Sequence, residues 1–169
     1  MDMTQMFESV LKSGALGQVS NLAGVSEKDA ASALEDVMPM LLKGMQGQLN
    51  NKDTQQGFLQ ALTDHGQKDT SDITKFLQNV DTEDGAKIVN HLLGSQTEEV
   101  AAKAKKKSGL DTKTILKIMA IVAPLLMSQT GKKAKSTAKG SDDMLSIVGG
   151  LLDGVDASDI IKIAGKLLK

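Results

Sequence analysis

His65 and His91 are the strong neutral-pH bases of this 169-residue chain. A hydrolytic or metal centre built on them needs acids or a further histidine at ligand spacing. The sequence offers no HExxH and no HxH, and it has no cysteine. Thiolate metal sites, disulfides and cysteine nucleophiles are therefore excluded. His65 reads as a residue at a helix C-terminus, where an imidazolium favours the dipole, and His91 reads as a partly buried, hydrogen-bonded core histidine. Ser13, Ser20, Ser95 and Ser146 occupy no GxSxG elbow. Gly149 and Gly150 lie within a helical pattern, not between a strand and a helix, so no phosphate loop is read there. The expectation is a chain that is not an enzyme, with no cofactor, no metal and no small-molecule substrate.

The other chemistry-bearing residues are the lysines. Residues 1–102 carry net charge −8, residues 103–139 carry +9 and residues 140–169 carry −2. A basic middle can fold against an acidic first part, meet an anionic surface, or keep linkers solvated, and charge runs usually do the last. Lys103, Lys105, Lys106 and Lys107 precede the most apolar stretch, and Lys132, Lys133, Lys135 and Lys139 follow it. Near an anionic membrane each lysine contributes about 1 kcal/mol. The apolar stretch has no polar face with which to lie in an interface, so a helix buried between solvated linkers is the preferred reading and a membrane is not expected. Trp, Tyr and Arg are absent and Phe occurs three times. That removes the usual platforms for base stacking and bidentate phosphate recognition, and nucleic acid is not expected as a partner.

The elements that position these residues are helical. Leu, Ala and Met number 46 against 19 for Val and Ile, a balance that favours helix over strand. Met3, Met6, Phe7, Val10 and Leu11 form one stripe that stops at Gly14. Leu16, Val19 and Leu22 continue to Gly24. Ser26 caps a helix carrying Leu34, Val37, Leu41, Leu42 and Met45, with Pro39 predicting a kink inside it. The stretch Gly44–Asp53 reads as a loop. Further helices follow around Phe58 to His65, from Ser71 or Asp72 to Val80, and from Thr82 to Gly94, with a largely exposed one from Thr97 to Gly109. From Asp111 to Thr130 almost no polar face remains, so this helix must be surrounded, again with a proline, Pro124, in its last turns.

The fold expected is all-α: a compact orthogonal bundle of eight to ten short helices around that central apolar helix, with an amphipathic helical C-terminal tail. Residues 1–131 read as the core domain, 132–140 as a flexible Lys/Ser linker and 141–169 as the tail. The longest charge-free apolar run, Ile118 to Met127, is short of the roughly 20 residues that cross a bilayer. The start, MDMTQMFESV, lacks a secretory pattern. A cytoplasmic location is the expectation.

A shift of 85 residues aligns GVSEKDAASALEDVMPMLLKG (24–44) with GLDTKTILKIMAIVAPLLMSQ (109–129). Gly24 meets Gly109, Lys28 meets Lys113, Val37 meets Val122, Pro39 meets Pro124 and Leu41 meets Leu126. The implied unit is a shared cap, helix and proline, which would make the two prolines counterparts across one core.

The run from Met1 to Met45, the segment DTEDGAKIVNHLLGS and the proline-bearing SGLDTKTILKIMAIVAPLLM together resemble the bacterial YidB-like family, domain of unknown function 937. The resemblance covers most of residues 1–131, and GVSEKDAASALEDVMPMLL and the segment from Asp84 to Gly94 are its most specific pieces. It implies an all-α fold of packed helices and supplies no catalytic residues. Members often end in a Gly- and Asp-rich tail, some of them with acids alternating like a calcium loop. Here Asp153, Asp156 and Asp159 fall at every third position and Gly154 is misplaced for the turn glycine, so calcium is not expected.

The leading functional expectation is contact with a protein partner or with a second copy of the chain, and the tail bearing Leu151, Leu152, Ile160, Ile161, Ile163 and Leu167 can dock on its own core, which is the preferred reading, swap between protomers, or recognise a groove. The alternative is peripheral binding to an anionic membrane or polymer through Lys103, Lys105, Lys106, Lys107, Lys132, Lys133 and Lys135.

Overall fold

The computed structural model describes residues 5, 8, 11–153 and 162. Met3, Met6, Phe7 and Val10 of the first predicted stripe lie outside the described residues, as do Ile160, Ile161, Ile163 and Leu167 of the tail. Among the described residues the chain is all-helical, with no strand. A short segment, α1 (Leu11–Ala15), kinked at Gly14, which is left-handed at φ 93°, is followed by α2 (Leu16–Ala23), α3 (Glu27–Asn50), α4 (Gln55–His65), α5 (Ile73–Gln78) and α6 (Thr82–Leu93). After a 3₁₀ turn (Gly94–Gln96) come α7 (Thr97–Ser108), α8 (Thr112–Thr137) and α9 (Ser141–Asp153).

The predicted starts coincide with side-chain caps. Ser26 accepts from the Asp29 amide at 3.0 Å, Asp72 from the Lys75 amide at 3.0 Å and Asp111 from the Thr114 amide at 2.7 Å. Each cap satisfies an amide that the first helical turn leaves without a partner.

The central apolar helix is α8, against which α2, α3, α4, α5, α6, α7 and α9 all pack. Ile115, Ile118, Met119, Ile121 and Ala123 are fully buried. By length and mean hydropathy, 1.4 over its most apolar window, α8 passes for a membrane span, yet 78% of that window is buried within the chain. The charge-free run understates the helix, which extends well beyond Ile118 to Met127.

Two helices run longer than their glycines suggest. The stretch from Gly44, read as a loop, is helical through Asn50. Met45 and Leu49 continue the buried stripe of Leu41 and Leu42, and tertiary burial outweighs the propensity cost of Gly and Asn. The 132–140 segment, read as a flexible linker, is helical up to Thr137 and leaves 138–140 as the connection to α9. Gly131 is not a stop: a Cβ there would lie 1.8 Å from the Leu62 carbonyl oxygen. Gly85 meets α8 in the same way, with 1.8 Å to the Ala120 carbonyl oxygen. That carbonyl lacks its usual helical donor because residue 124 is proline. These glycines let α4 and α6 approach α8 backbone to backbone.

The internal echo extends to local geometry. Gly24 and Gly109 end α2 and α7 in the left-handed region, at φ 73° and 75°, where glycine is unstrained. Two residues later Ser26 and Asp111 cap α3 and α8 with φ, ψ of −71°, 156° and −72°, 161°. Pro39 and Pro124 stand at the same step of helices that continue past them. The packing exchanges as well. Just as α4 crosses from the first unit onto α8, α9 crosses from the second onto α3, and α3 contacts α7 as α8 contacts α2. The two units are interleaved around one core.

Candidate functional site

Three places gather the residues singled out in the sequence: the seat of α9, the lysines around α8, and a cleft shared by the histidines.

The α9 helix lies against α3 and α8. Val148 and Leu152 are fully buried, while Met144, Leu145, Ile147 and Leu151 are half-buried. Gln46 on α3 donates its side-chain amide to the Leu152 carbonyl at 2.9 Å. Leu152, one of the tail residues singled out for contact, is part of the chain's own core, and Leu151 keeps an accessible edge. Four residues apart, Val148 and Leu152 make a single stripe on α9, the apolar pattern of a helix docked on one side.

The lysines do not form one patch. Lys103, Lys105, Lys106 and Lys107 stand at the α7 end that leads into α8, whereas Lys132, Lys133 and Lys135 stand at the far end of α8. At 1.5 Å per residue, the start of α8 and Lys132 are about 30 Å apart. Two of these lysines face acids of the first part of the chain. The Lys107 ammonium lies 3.0 Å from Glu35 and 3.7 Å from Asp36 on α3. The Glu35 carboxylate, with Asp36 beside it, raises the Lys107 pKa above the usual lysine range. Lys132 donates to the Thr70 hydroxyl at 3.2 Å. It also faces Asp69, whose pKa is lowered chiefly by hydrogen bonds from Ser71 and further by Lys132 and Lys75. The basic middle therefore partly folds against the acidic first part. Lys103, Lys105 and Lys106 are exposed, and the first turns of α8 add exposed Lys113 and Lys117, which the run-based reading of the sequence missed. Among the described residues none of these five forms an ion pair.

The histidines line one cleft of about 360 Å³, with Phe58 and Ala61 of α4, Ile88 of α6 and Met127 of α8. His65 ends α4 as expected, and its side chain is 12% exposed. Burial pushes its pKa below 6.5 and Lys68 adds to this, against Asp84 and Asp64. Its Nε2 is 3.9 Å from Asp84 Oδ2, and its Nδ1 is buried without a hydrogen-bond partner. His91, expected to be partly buried, is exposed. Its helix buries Ile88, Val89, Leu92 and Leu93 instead, which turns position 91 outward. Among the described residues no group of three or more His, Asp or Glu is placed to hold a metal ion.

A family model for bacterial proteins of unknown function, DUF937, matches residues 5–133. The chain belongs to this family. The match takes in α1 through most of α8 and stops before α9. Neither a curated protein nor a solved structure matches the chain.

Proposed function

We propose that the chain acts by contact, binding another protein or a second copy of itself, and not by catalysis. The observation that carries this reading is α9, an amphipathic helix beyond the family-matched residues, seated on the core by two buried side chains. An accessory helix of this kind docks on a groove in its own chain or in another. The setting proposed is the cytoplasm, with α8 serving as a core helix.

A second reading, peripheral binding to an anionic surface, is favoured by one observation: Lys103, Lys105, Lys106, Lys113 and Lys117 are exposed around the α7–α8 turn without ion-pair partners among the described residues. Such binding would fall steeply with salt.

The test is sedimentation velocity of the full chain from micromolar to near-millimolar concentration, together with affinity capture from a bacterial lysate and flotation with anionic vesicles at low salt. Concentration-dependent association or a stoichiometric captured protein supports the contact reading. A chain that stays monomeric, captures nothing stoichiometric and floats with the vesicles overturns it in favour of the second.

A further inference from the structure

Of the two crossing helices, α4 and α9, the second is held more loosely, and the reason lies at one pair of matched positions. The 85-residue shift places Gln46 of α3 opposite Gly131 of α8. On α8, Gly131 lets the Leu62 carbonyl of α4 come so close that a Cβ would stand 1.8 Å from it, and Gly66 packs against the Gly131 backbone beside it. On α3, Gln46 reaches the Leu152 carbonyl of α9 through its side-chain amide, at 2.9 Å. Each crossing helix buries two apolar residues four apart, Phe58 and Leu62 on α4 and Val148 and Leu152 on α9, the second pair lying 90 residues after the first and not 85. One crossing is therefore made backbone against backbone, the other with a side chain between them. The glycine of α9 that faces α3, Gly149, is loosely fitted, since a Cβ there would sit 3.7 Å from Leu49 Cδ2, an ordinary contact.

The tether allows release. Residues 138–140 form the whole connection, Ala138 is extended (φ −74°, ψ 140°), and a Cβ on Gly140 would meet nothing within 4 Å. Elements with few buried contacts open at lower free energy than the core they rest on.

We propose that α9 is exchanged between two copies of the chain, so that the α3/α8 groove of one copy is filled by Val148 and Leu152 of the other. The inference rests on the contact reading above and names its partner as a second copy. No new interface is needed, because the contacts made within one chain are remade between two, and reciprocal exchange closes a two-fold dimer. The groove's occupant in the chain itself shows the chemistry it takes: an amphipathic helix with two apolar residues four apart and a backbone carbonyl for Gln46.

The chain has no cysteine, which permits a clean trap. A Leu49→Cys chain and a Gly149→Cys chain are mixed at high concentration and oxidised. Neither variant alone carries both thiols of a bridge between positions 49 and 149, so a disulfide-linked heterodimer reports α9 of one copy on α3 of the other. The exchange predicts heterodimer several-fold above that of a control pair in which Lys103→Cys replaces Leu49→Cys. It also predicts loss of the excess when Leu152→Asp is added to the Gly149→Cys chain. Heterodimer no greater than the control, from chains that melt cooperatively, overturns the exchange. Should Leu49→Cys not melt cooperatively, Gln46→Cys takes its place with the same two outcomes. Failure here together with capture of a stoichiometric foreign protein leaves the contact reading standing, whereas failure of both removes it.

Discussion

Replacing Gly131 by alanine sets a Cβ against backbone of a neighbouring helix, and its cost can be worked from the geometry. The added Cβ would be placed 1.8 Å from the Leu62 carbonyl oxygen and 2.7 Å from its carbon. Ordinary C···O contacts begin near ~3.3 Å, so α4 and α8 must separate by roughly 1.5 Å or α8 must bend. Both obstacles are backbone atoms, which no rotamer change relieves. Overpacking a core costs about 1–3 kcal/mol and sometimes more. The helix-propensity gain of alanine over glycine returns about 1 kcal/mol. Taking the upper end for a backbone clash, the net loss is about 2 kcal/mol, or a melting temperature lower by ~4–8 °C in a domain of this size. Gly85→Ala, set against Ala120 at the same distance, should behave alike. The opposite sign is expected at Gly47 and Gly57, which lie in α3 and α4 with nothing within 4 Å of an added Cβ. Alanine there should raise the melting temperature by a few degrees. Thermal unfolding followed by circular dichroism reads all four variants. A Gly131→Ala chain as stable as the parent, or a series without the change of sign, would refute the close-approach reasoning.

Three further outcomes follow from the same structure. His65 has a folded-state pKa below its unfolded value of about 6.5. Between the two values the unfolded chain binds more protons, so stability present above pH ~6.5 should be lost as pH falls through the lowered pKa. Melting temperatures between pH 8 and about 5 should show this slope, and His65→Phe should flatten it; an unchanged slope would assign it to other groups. Lys107→Ala removes the link between α7 and the Glu35–Asp36 pair, a half-exposed bridge worth a few tenths to about 1 kcal/mol. The loss should shrink with added salt, and Lys106→Ala should show none. The Ser128 hydroxyl is fully buried with no hydrogen-bond partner. Ser128→Ala should raise stability by up to about 1 kcal/mol in urea unfolding, and a drop would mean that the hydroxyl is satisfied after all.

What the sequence disclosed, and what it did not, follows from the range of the forces involved. Caps and left-handed glycines act within a few residues, so Ser26, Asp111, Gly24 and Gly109 were legible, and so was the apolar surplus that makes α8 the core. Gly44 and Gly131 were read as ends because glycine lowers helix propensity. Their actual role, admitting Leu92 of α6 and Leu62 of α4, depends on helices distant in the chain, and only the buried spacing of Met45, Leu49 and Ala134 hinted at continuation. The lysine runs were visible, but their division was not. Lys107 meets Glu35 across 72 positions, and Lys132 meets Thr70 across 62. In the tail, Leu151 and Leu152 were placed correctly on one helix, while a periodic stripe alone does not say whether it covers its own chain or another.

Hydrogen exchange tests most directly the claim on which every other statement depends, that α8 is enclosed by the helices of its own chain. The amides from Ile118 to Met127 should be the slowest in the molecule, exchanging only with global unfolding, at a rate independent of protein concentration. Amides there that exchange as fast as those of the exposed Lys139–Gly140 connection, or that gain protection only as concentration rises, would contradict it.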